Sequence, residues 1–332
     1  MLGLAQTAFS GNPLDRAGDR RNDPAWLAYG HARDVAPDRR AFLGLWKDAP
    51  VFAVEVEGPD DPATGPLAGL GAFEELRAAA AVLPPQDLAM AGVGRSLFDW
   101  RRRHGFCGVC GRATEDAAGG WTRICPACGA EHFPRVDPVT IMLPVWRGGP
   151  EPLCLLGRQA AWPAGRMSAL AGVLEPGETI EEACAREIAE EAGREVPRVR
   201  YQASQAWPFP AQLMIGLIAE VAGNEARPDQ TELEAVAWLT RAEARATLDG
   251  THPTILAPPP FAIAHTLLRA WVDGFDGSGA VQGSSQRSRR KAQRTPRPPG
   301  RRARSAFPEA VGRQGACGAA TATPPCPPCL SP

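Results

Sequence analysis

GVLEPGETIEEACAREIAEEAG, Gly172 to Gly193, is the stretch that sets the reading of the whole chain. Gly172, Pro176 and Gly177 break regular structure, so the stretch opens as a tight turn. Thr179 with Glu182 three residues later forms a capping box, which predicts a helix beginning near Thr179. Gly193 ends it. Inside that helix Glu187, Glu190 and Glu191 fall at i, i+3 and i+4, on one face. Carboxylates crowded in this way repel one another. A hard divalent cation, Mg²⁺ or Mn²⁺, takes oxygen ligands and offsets the repulsion. A solvated acidic face is the plainer reading of three glutamates alone. Arg186 is placed to orient a neighbouring carboxylate, and Cys184 lies on the opposite side, toward a core.

A second cation site is written upstream. Cys107-Gly-Val-Cys110 and Cys125-Pro-Ala-Cys128 are two CxxC pairs with fourteen residues between them, each followed by glycine. This spacing predicts a tetrahedral Cys₄ zinc site, with Gly111 and Gly129 permitting the tight knuckle turns. Four thiolates fill every coordination position, so the zinc is structural. Two disulfides are the alternative. Few basic residues lie between the knuckles, only Arg112 and Arg123, which speaks against a nucleic-acid role for the ribbon itself.

Around these two sites the pattern alternates between strand and helix. Ala41–Trp46 and Val51–Val56 read as strands, and Phe73–Val82 and Asp87–Arg103 as helices. Strands are predicted at Val139–Trp146, Pro152–Arg158, Val199–Ser204, Leu213–Val221 and Thr231–Leu239. The segment Gln205-Ala206-Trp207-Pro208-Phe209-Pro210-Ala211-Gln212 has two prolines alternating with two aromatics. It cannot be a central strand, and it reads as a stiff loop presenting rings, either to its own core or to a base or nicotinamide. Pro258–Trp271 reads as a helix started by proline. Cys154 reads as core, and His252 and His265 as satisfied or solvent-facing histidines.

The chain has 332 residues, of which 44% are apolar, enough for two or three domains. The formal net charge of −1 conceals an asymmetry. From Asp276 onward ten Lys/Arg face two Asp/Glu, net +8, against −9 for the rest. That tail is rich in Gly, Ser, Arg and Pro, too poor in apolar residues to fold, and is expected to be disordered. Its Cys317, Cys326 and Cys329 match no metal spacing. No apolar run is long enough for a membrane helix. The N-terminus lacks the features of a secretory signal, and nine cysteines without one point to a reducing, cytoplasmic setting.

The acidic stretch, with its fixed spacing from Gly172 through Glu178 to Arg186-Glu187 and Glu190-Glu191, resembles the Nudix box. The Cys₄ ribbon directly before the domain, the linker Phe133-Pro134-Arg135-Val136-Asp137-Pro138, and Ser204-Gln205-Ala206-Trp207-Pro208-Phe209-Pro210 after the box narrow the resemblance. Together they look like the NADH pyrophosphatase family of NudC-type NAD-capped RNA hydrolases, over residues 9 to 273. The resemblance implies an α+β chain: a small α/β N-terminal domain (1–104), the zinc ribbon (105–134), an α-β-α Nudix sandwich (135–275) and the tail (276–332). It implies a homodimer with one structural Zn²⁺ per chain and catalytic Mg²⁺ or Mn²⁺. The implied substrates are NAD(H), cleaved to NMN(H) and AMP, and NAD-capped RNA.

Carried over by motif, Glu187, Glu191, the Ala171 carbonyl and Glu234 hold the catalytic metal, with Glu232 as the alternative to Glu234. Glu190 is a ligand or base candidate, and Arg186 and Glu178 complete the catalytic set. Gln205 to Gln212 line the dinucleotide pocket, with Phe133 stacking and Arg77 and the Ala264 backbone nearby. Ala206 and Gln212 depart from the family's usual residues. The competing readings are a Nudix hydrolase for another nucleoside-diphosphate compound, such as ADP-ribose or a dinucleoside polyphosphate, and a non-catalytic zinc-ribbon RNA-binding module.

Overall fold

A computed structural model of the chain describes residues 39–46, 48–55 and 75–274, together with the backbone of two short strands, β1 (Thr7–Ser10) and β2 (Trp26–Leu27). The basic stretch 276–332 with its three cysteines lies outside the described residues.

The N-terminal part is a four-stranded sheet in the order β2-β1-β4-β3, where β3 is Arg40–Trp46 and β4 is Ala49–Glu55. Two helices follow, α1 (Leu76–Ala79) and α2 (Pro85–Arg103). The first is shorter than the expected Phe73–Val82, whose first two residues lie outside the described set. Pro84 and Pro85 explain the break: Pro84 is the N-cap of α2 and Pro85 its first turn, where a missing N–H costs nothing. Helix α2 buries Met90, Leu97 and Phe98 against Ala41, Val51 and Ala53 of the sheet.

The ribbon comes next as three short antiparallel strands, β5 (Glu115–Ala117), β6 (Thr122–Ile124) and β7 (Glu131–His132). The chain then enters β8 (Asp137–Trp146), the centre of a six-stranded mixed sheet. Its other strands are β9 (Leu153–Arg158), β10 (Leu170–Val173), β11 (Arg198–Trp207), β12 (Gln212–Glu220) and β13 (Ala235–Thr240). Strand β8 runs parallel to β12 on one side; on the other it pairs antiparallel with β10 near its start and with β9 at its end.

Helices cover both faces. Along β8 the side chains alternate. Val139, Ile141, Leu143 and Val145 meet Ile263, Leu267, Leu268 and Trp271, while Met142 joins Cys184, Ile188 and Ala192 on the opposite face. The second group belongs to α3 (Ile180–Ala192); the first belongs to α5 (Ile263–Val272), which packs beside α4 (Arg241–Leu248). The result is an α-β-α sandwich. Burying one side chain such as Ile188, which has no exposed surface, contributes about 1.5–3 kcal/mol. Cys154 and Cys184 are buried in these two layers, as the sequence predicts.

Strand β11 and helix α5 also differ from expectation. Strand β11 continues through Gln205, Ala206 and Trp207, so only Pro208 to Ala211 form the turn. The prolines therefore stay out of the ladder, and β11 is an edge strand. Helix α5 begins at Ile263, not Pro258. Pro258, Pro259 and Pro260 each lack an N–H, and a following proline disfavours helical backbone, so the chain turns there and closes Ala262 N–H onto the Pro259 carbonyl.

Candidate active site and metal centres

Helix α3 is capped as its sequence requires. Thr179 accepts from the Glu182 amide while Glu182 accepts from the Thr179 amide, and Gly193 closes the helix at φ 66°. The helix lies over β10, so its Glu187 and Glu191 point into the sandwich, 8% and 3% exposed. Gly172 makes this possible. A Cβ at that position would lie 1.7 Å from the Glu187 Cδ, so any side chain on residue 172 would displace the carboxylate.

Arg186 organises the rim. Its Nε donates to Glu178 at 2.6 Å, Nη1 to Glu187 at 2.8 Å and Glu190 at 3.1 Å, and Nη2 to Glu178 at 2.9 Å and the Val173 carbonyl at 3.0 Å. All five guanidinium N–H donors are engaged. The bidentate grip of Arg186 drives the Glu178 carboxyl down to about 2, and Glu178 also accepts from the Glu175 amide, closing the turn at Gly177. Glu190 stands at the exposed end of the same network, its side chain 59% accessible.

The two buried glutamates behave differently. Burial pushes the Glu187 carboxyl upward, against the pull of Arg186. Burial pushes Glu191 up to about 8, helped by the charges of Glu187, Glu232 and Asp229; a backbone hydrogen bond from Ala171 opposes it. One oxygen of Glu191, Oε2, is buried without a hydrogen-bond partner. A buried carboxylate oxygen without a partner, ringed by further carboxylates, is costly in a bare protein and suits an oxygen-seeking divalent cation.

The two candidates for the late acidic position stand in different surroundings. Glu234 lies against Arg158 at 3.6 Å, half exposed. Glu232 is the carboxylate whose charge reaches both Glu187 and Glu191. Its loop is held by Asp229, which accepts from the Glu232 amide at 3.0 Å, the Leu233 amide at 2.9 Å and the Thr231 hydroxyl. Asp229 was not singled out from sequence. The three-residue spacing Asp229-x-x-Glu232 is the signal that could have found it.

The predicted dinucleotide residues separate into two groups. Trp207, Phe209 and Phe261 form a ring cluster, Trp207 to Phe209 at 5.2 Å edge-on and Trp207 to Phe261 at 6.2 Å stacked. The Arg77 guanidinium lies over Phe209 at 4.6 Å and over Trp207 at 5.8 Å. Gln205 is committed to the fold. Its amide donates to the Phe261 carbonyl at 2.7 Å and accepts from the Ile263 amide at 2.8 Å, tying the edge strand to the start of α5. Ala264 is buried in the first turn of that helix. Ala206 is exposed, Ala211 accepts from the Asp137 amide, and Gln212 pairs with Asp137. Phe133 stands 64% exposed on the linker, and the ring cluster forms without it.

The turn and the carboxylates share one end of β8. Gln212 pairs with Asp137, and Val173 and Gly172 pair with Val139 and Thr140 on its other side. Strands spaced about 4.8 Å apart put β12 and β10 about 10 Å from each other. The carboxylates enter from the α3 layer, and Trp207 packs with the α5 layer.

The ribbon brings Cys107, Cys110, Cys125 and Cys128 together, their sulfurs all within 4.8 Å of one another. The Cys107–Cys128 and Cys110–Cys125 separations are 3.7 and 3.5 Å. Four sulfurs at about 2.3 Å from one zinc sit about 3.8 Å apart, so the cage fits the ion and excludes the disulfide alternative. The knuckles are twins: Gly111 and Gly129, at φ 73° and 72°, each return an amide to the first cysteine's carbonyl at 2.8 Å.

Comparison with known proteins agrees with this architecture. Residues 137–257 match the NUDIX domain, 102–133 the NADH pyrophosphatase zinc ribbon domain, and 6–100 the NADH pyrophosphatase-like rudimentary NUDIX domain. The NAD-capped RNA hydrolase NudC of Deinococcus radiodurans is 39% identical over 220 residues, covering 66% of this chain and 75% of that protein. The human NAD-capped RNA hydrolase NUDT12 is 40% identical over 199 residues, 57% of this chain and 43% of that protein. Human mitochondrial NAD(P)H pyrophosphatase NUDT13 is 38% identical over 216 residues, 61% of this chain and 60% of that protein. The chain belongs to the NudC-type family of Nudix hydrolases. It spans less than half the length of the NUDT12 proteins it matches. Among the described residues no helix is long and apolar enough to cross a membrane.

Proposed function

We propose that this protein hydrolyses the pyrophosphate bond of NAD(H) to NMN(H) and AMP, and removes NAD caps from RNA by the same chemistry, using a divalent cation held by Glu187, Glu191 and Glu232. The carrying observation is the buried Glu191 oxygen without a partner, set among like charges, one helical turn from Glu187, whose carboxylate fills the space left by the missing side chain of Gly172. The names of the NudC, NUDT12 and NUDT13 relatives support the substrate class. Mg²⁺ and Mn²⁺ both suit an all-oxygen donor set. Held by these carboxylates, such a cation would neutralise the pyrophosphate charge and lower the pKa of an attacking water.

The chain's own residues supply the rest. Arg186 holds Glu187 and Glu190 in fixed geometry while Glu178 anchors Arg186. Glu190, tethered through one oxygen and open to solvent, accepts the proton of the attacking water at the other. Trp207, Phe209 and Arg77 hold the ring of the substrate so that phosphorus and water align. The ribbon's zinc takes no part in the reaction. The Ala171 carbonyl, Ala264 and Phe133 keep the binding roles the motif gives them, with Phe133 free to meet a substrate or a second copy in a homodimer. The reduced thiolates of the ribbon suit a cytoplasmic setting.

Product analysis of NADH incubated with the protein tests this reading. NMNH and AMP in equal amounts, formed only with Mg²⁺ or Mn²⁺ present, are expected. Faster turnover of ADP-ribose or diadenosine tetraphosphate would move the chain to another Nudix substrate. Absence of any cleavage, with RNA bound, would favour the binding-module reading.

A further inference from the structure

The turn that carries Trp207 and Phe209 is gripped from outside its own domain. Arg95, on helix α2, donates through Nε to the Pro208 carbonyl at 3.0 Å. Its neighbour Ser96 donates through Oγ to the Pro210 carbonyl at 3.2 Å. The Arg95 guanidinium also lies 5.4 Å from the centre of the Phe209 ring. One turn of helix earlier, Gly92 packs directly on Pro208; a Cβ there would approach its Cγ to 3.1 Å. Arg77, from α1, contacts the same two rings. The two hydrogen bonds bridge 113 and 114 residues of sequence. Within the turn the Phe209 amide donates to the Trp207 carbonyl and Ala211 accepts from the Asp137 amide, whereas the Pro208 and Pro210 carbonyls are held from α2.

We propose that Arg95 and Ser96 are positioning residues for substrate. From the N-terminal part of the chain they fix the Pro208–Pro210 turn, and through it the rings that hold a ring of the dinucleotide. This rests on the function proposed above. Neither side chain touches the acidic site: Arg95 and Ser96 act on the turn, whereas Glu187, Glu191 and Arg186 are built by α3 and β10. Their loss falls on substrate affinity and leaves the metal requirement in place.

The test is steady-state NADH hydrolysis by Arg95→Ala, Arg95→Lys and Ser96→Ala, with zinc content and melting temperature checked for each. Arg95→Ala raises KM for NADH about tenfold, the ratio given by about 1.4 kcal/mol, while kcat and half-saturating Mg²⁺ stay within about twofold. Arg95→Lys, which keeps a donor, recovers part of the KM, and Ser96→Ala raises it about threefold. An unchanged KM in both alanine variants overturns the proposal, as does a parallel loss of kcat and Mg²⁺ affinity, which marks a merely structural role. If Arg95→Ala fails to fold, Ser96→Ala decides by the same criteria. A wild-type protein inactive on NADH would instead remove the functional reading, a separate result.

Discussion

The molecule gathers negative side chains to hold a cation in two places, and the two places are built in opposite ways. In the ribbon, four sulfurs from twin knuckles face one another at about the spacing a single ion demands, with every position filled. Beneath α3, the proposed ligands come from a helix and a loop of distant sequence, one oxygen has no partner, and Glu190 remains open to water. A closed cage of soft ligands stabilises a fold. An open set of hard ligands leaves room for a phosphate and a water. The acidic site needs Arg186 to restrain its charges, whereas the ribbon is held by its own backbone turns.

The contrast can be broken most severely at the ribbon. Structural zinc sites carry about 10–16 kcal/mol of binding free energy that is also folding free energy. Cys125→Ser is expected to lose the zinc and lower the melting temperature of the ribbon by at least about 20 °C, with NADH turnover retained at temperatures where the rest stays folded. A loss of turnover before any loss of structure would make the ribbon more than a scaffold. Gly172→Ala probes the acidic side. The added methyl collides with the Glu187 carboxylate, so kcat should fall about a hundredfold, about 2.7 kcal/mol, with zinc still bound one per chain. Smaller again is the pair Glu232→Gln and Glu234→Gln. The first should raise the Mg²⁺ needed for half activity about tenfold and the second leave it within about twofold; the reverse would restore Glu234 as the late ligand.

Local features were legible in the sequence. Thr179, Glu182 and Gly193 cap α3 because a cap is decided by residues a few positions apart. The two knuckles and the helix face with Glu187 and Glu191 are equally short-range. What the sequence left open depends on distant partners. Glu232 and Glu234 lie two residues apart, and only the pairing of Glu234 with Arg158 and the hold of Asp229 on the Glu232 loop distinguish them. Gln205 reads as a pocket residue, and nothing local shows that its side-chain amide is bonded to Phe261 and Ile263, more than fifty residues away. The hold of Arg95 and Ser96 on the Trp-Pro-Phe-Pro turn has no sequence signature, because its partners lie 113 and 114 residues apart.

The most direct measurement is kcat for NADH hydrolysis by Glu191→Gln beside the wild type, at saturating Mg²⁺ and with zinc counted in both. The substitution keeps the shape and removes the charge at the oxygen that has no partner. The prediction is a fall of about a thousandfold, about 4 kcal/mol, with zinc at one per chain in each protein. Full activity in Glu191→Gln would contradict the assignment of the buried carboxylates to the hydrolytic cation.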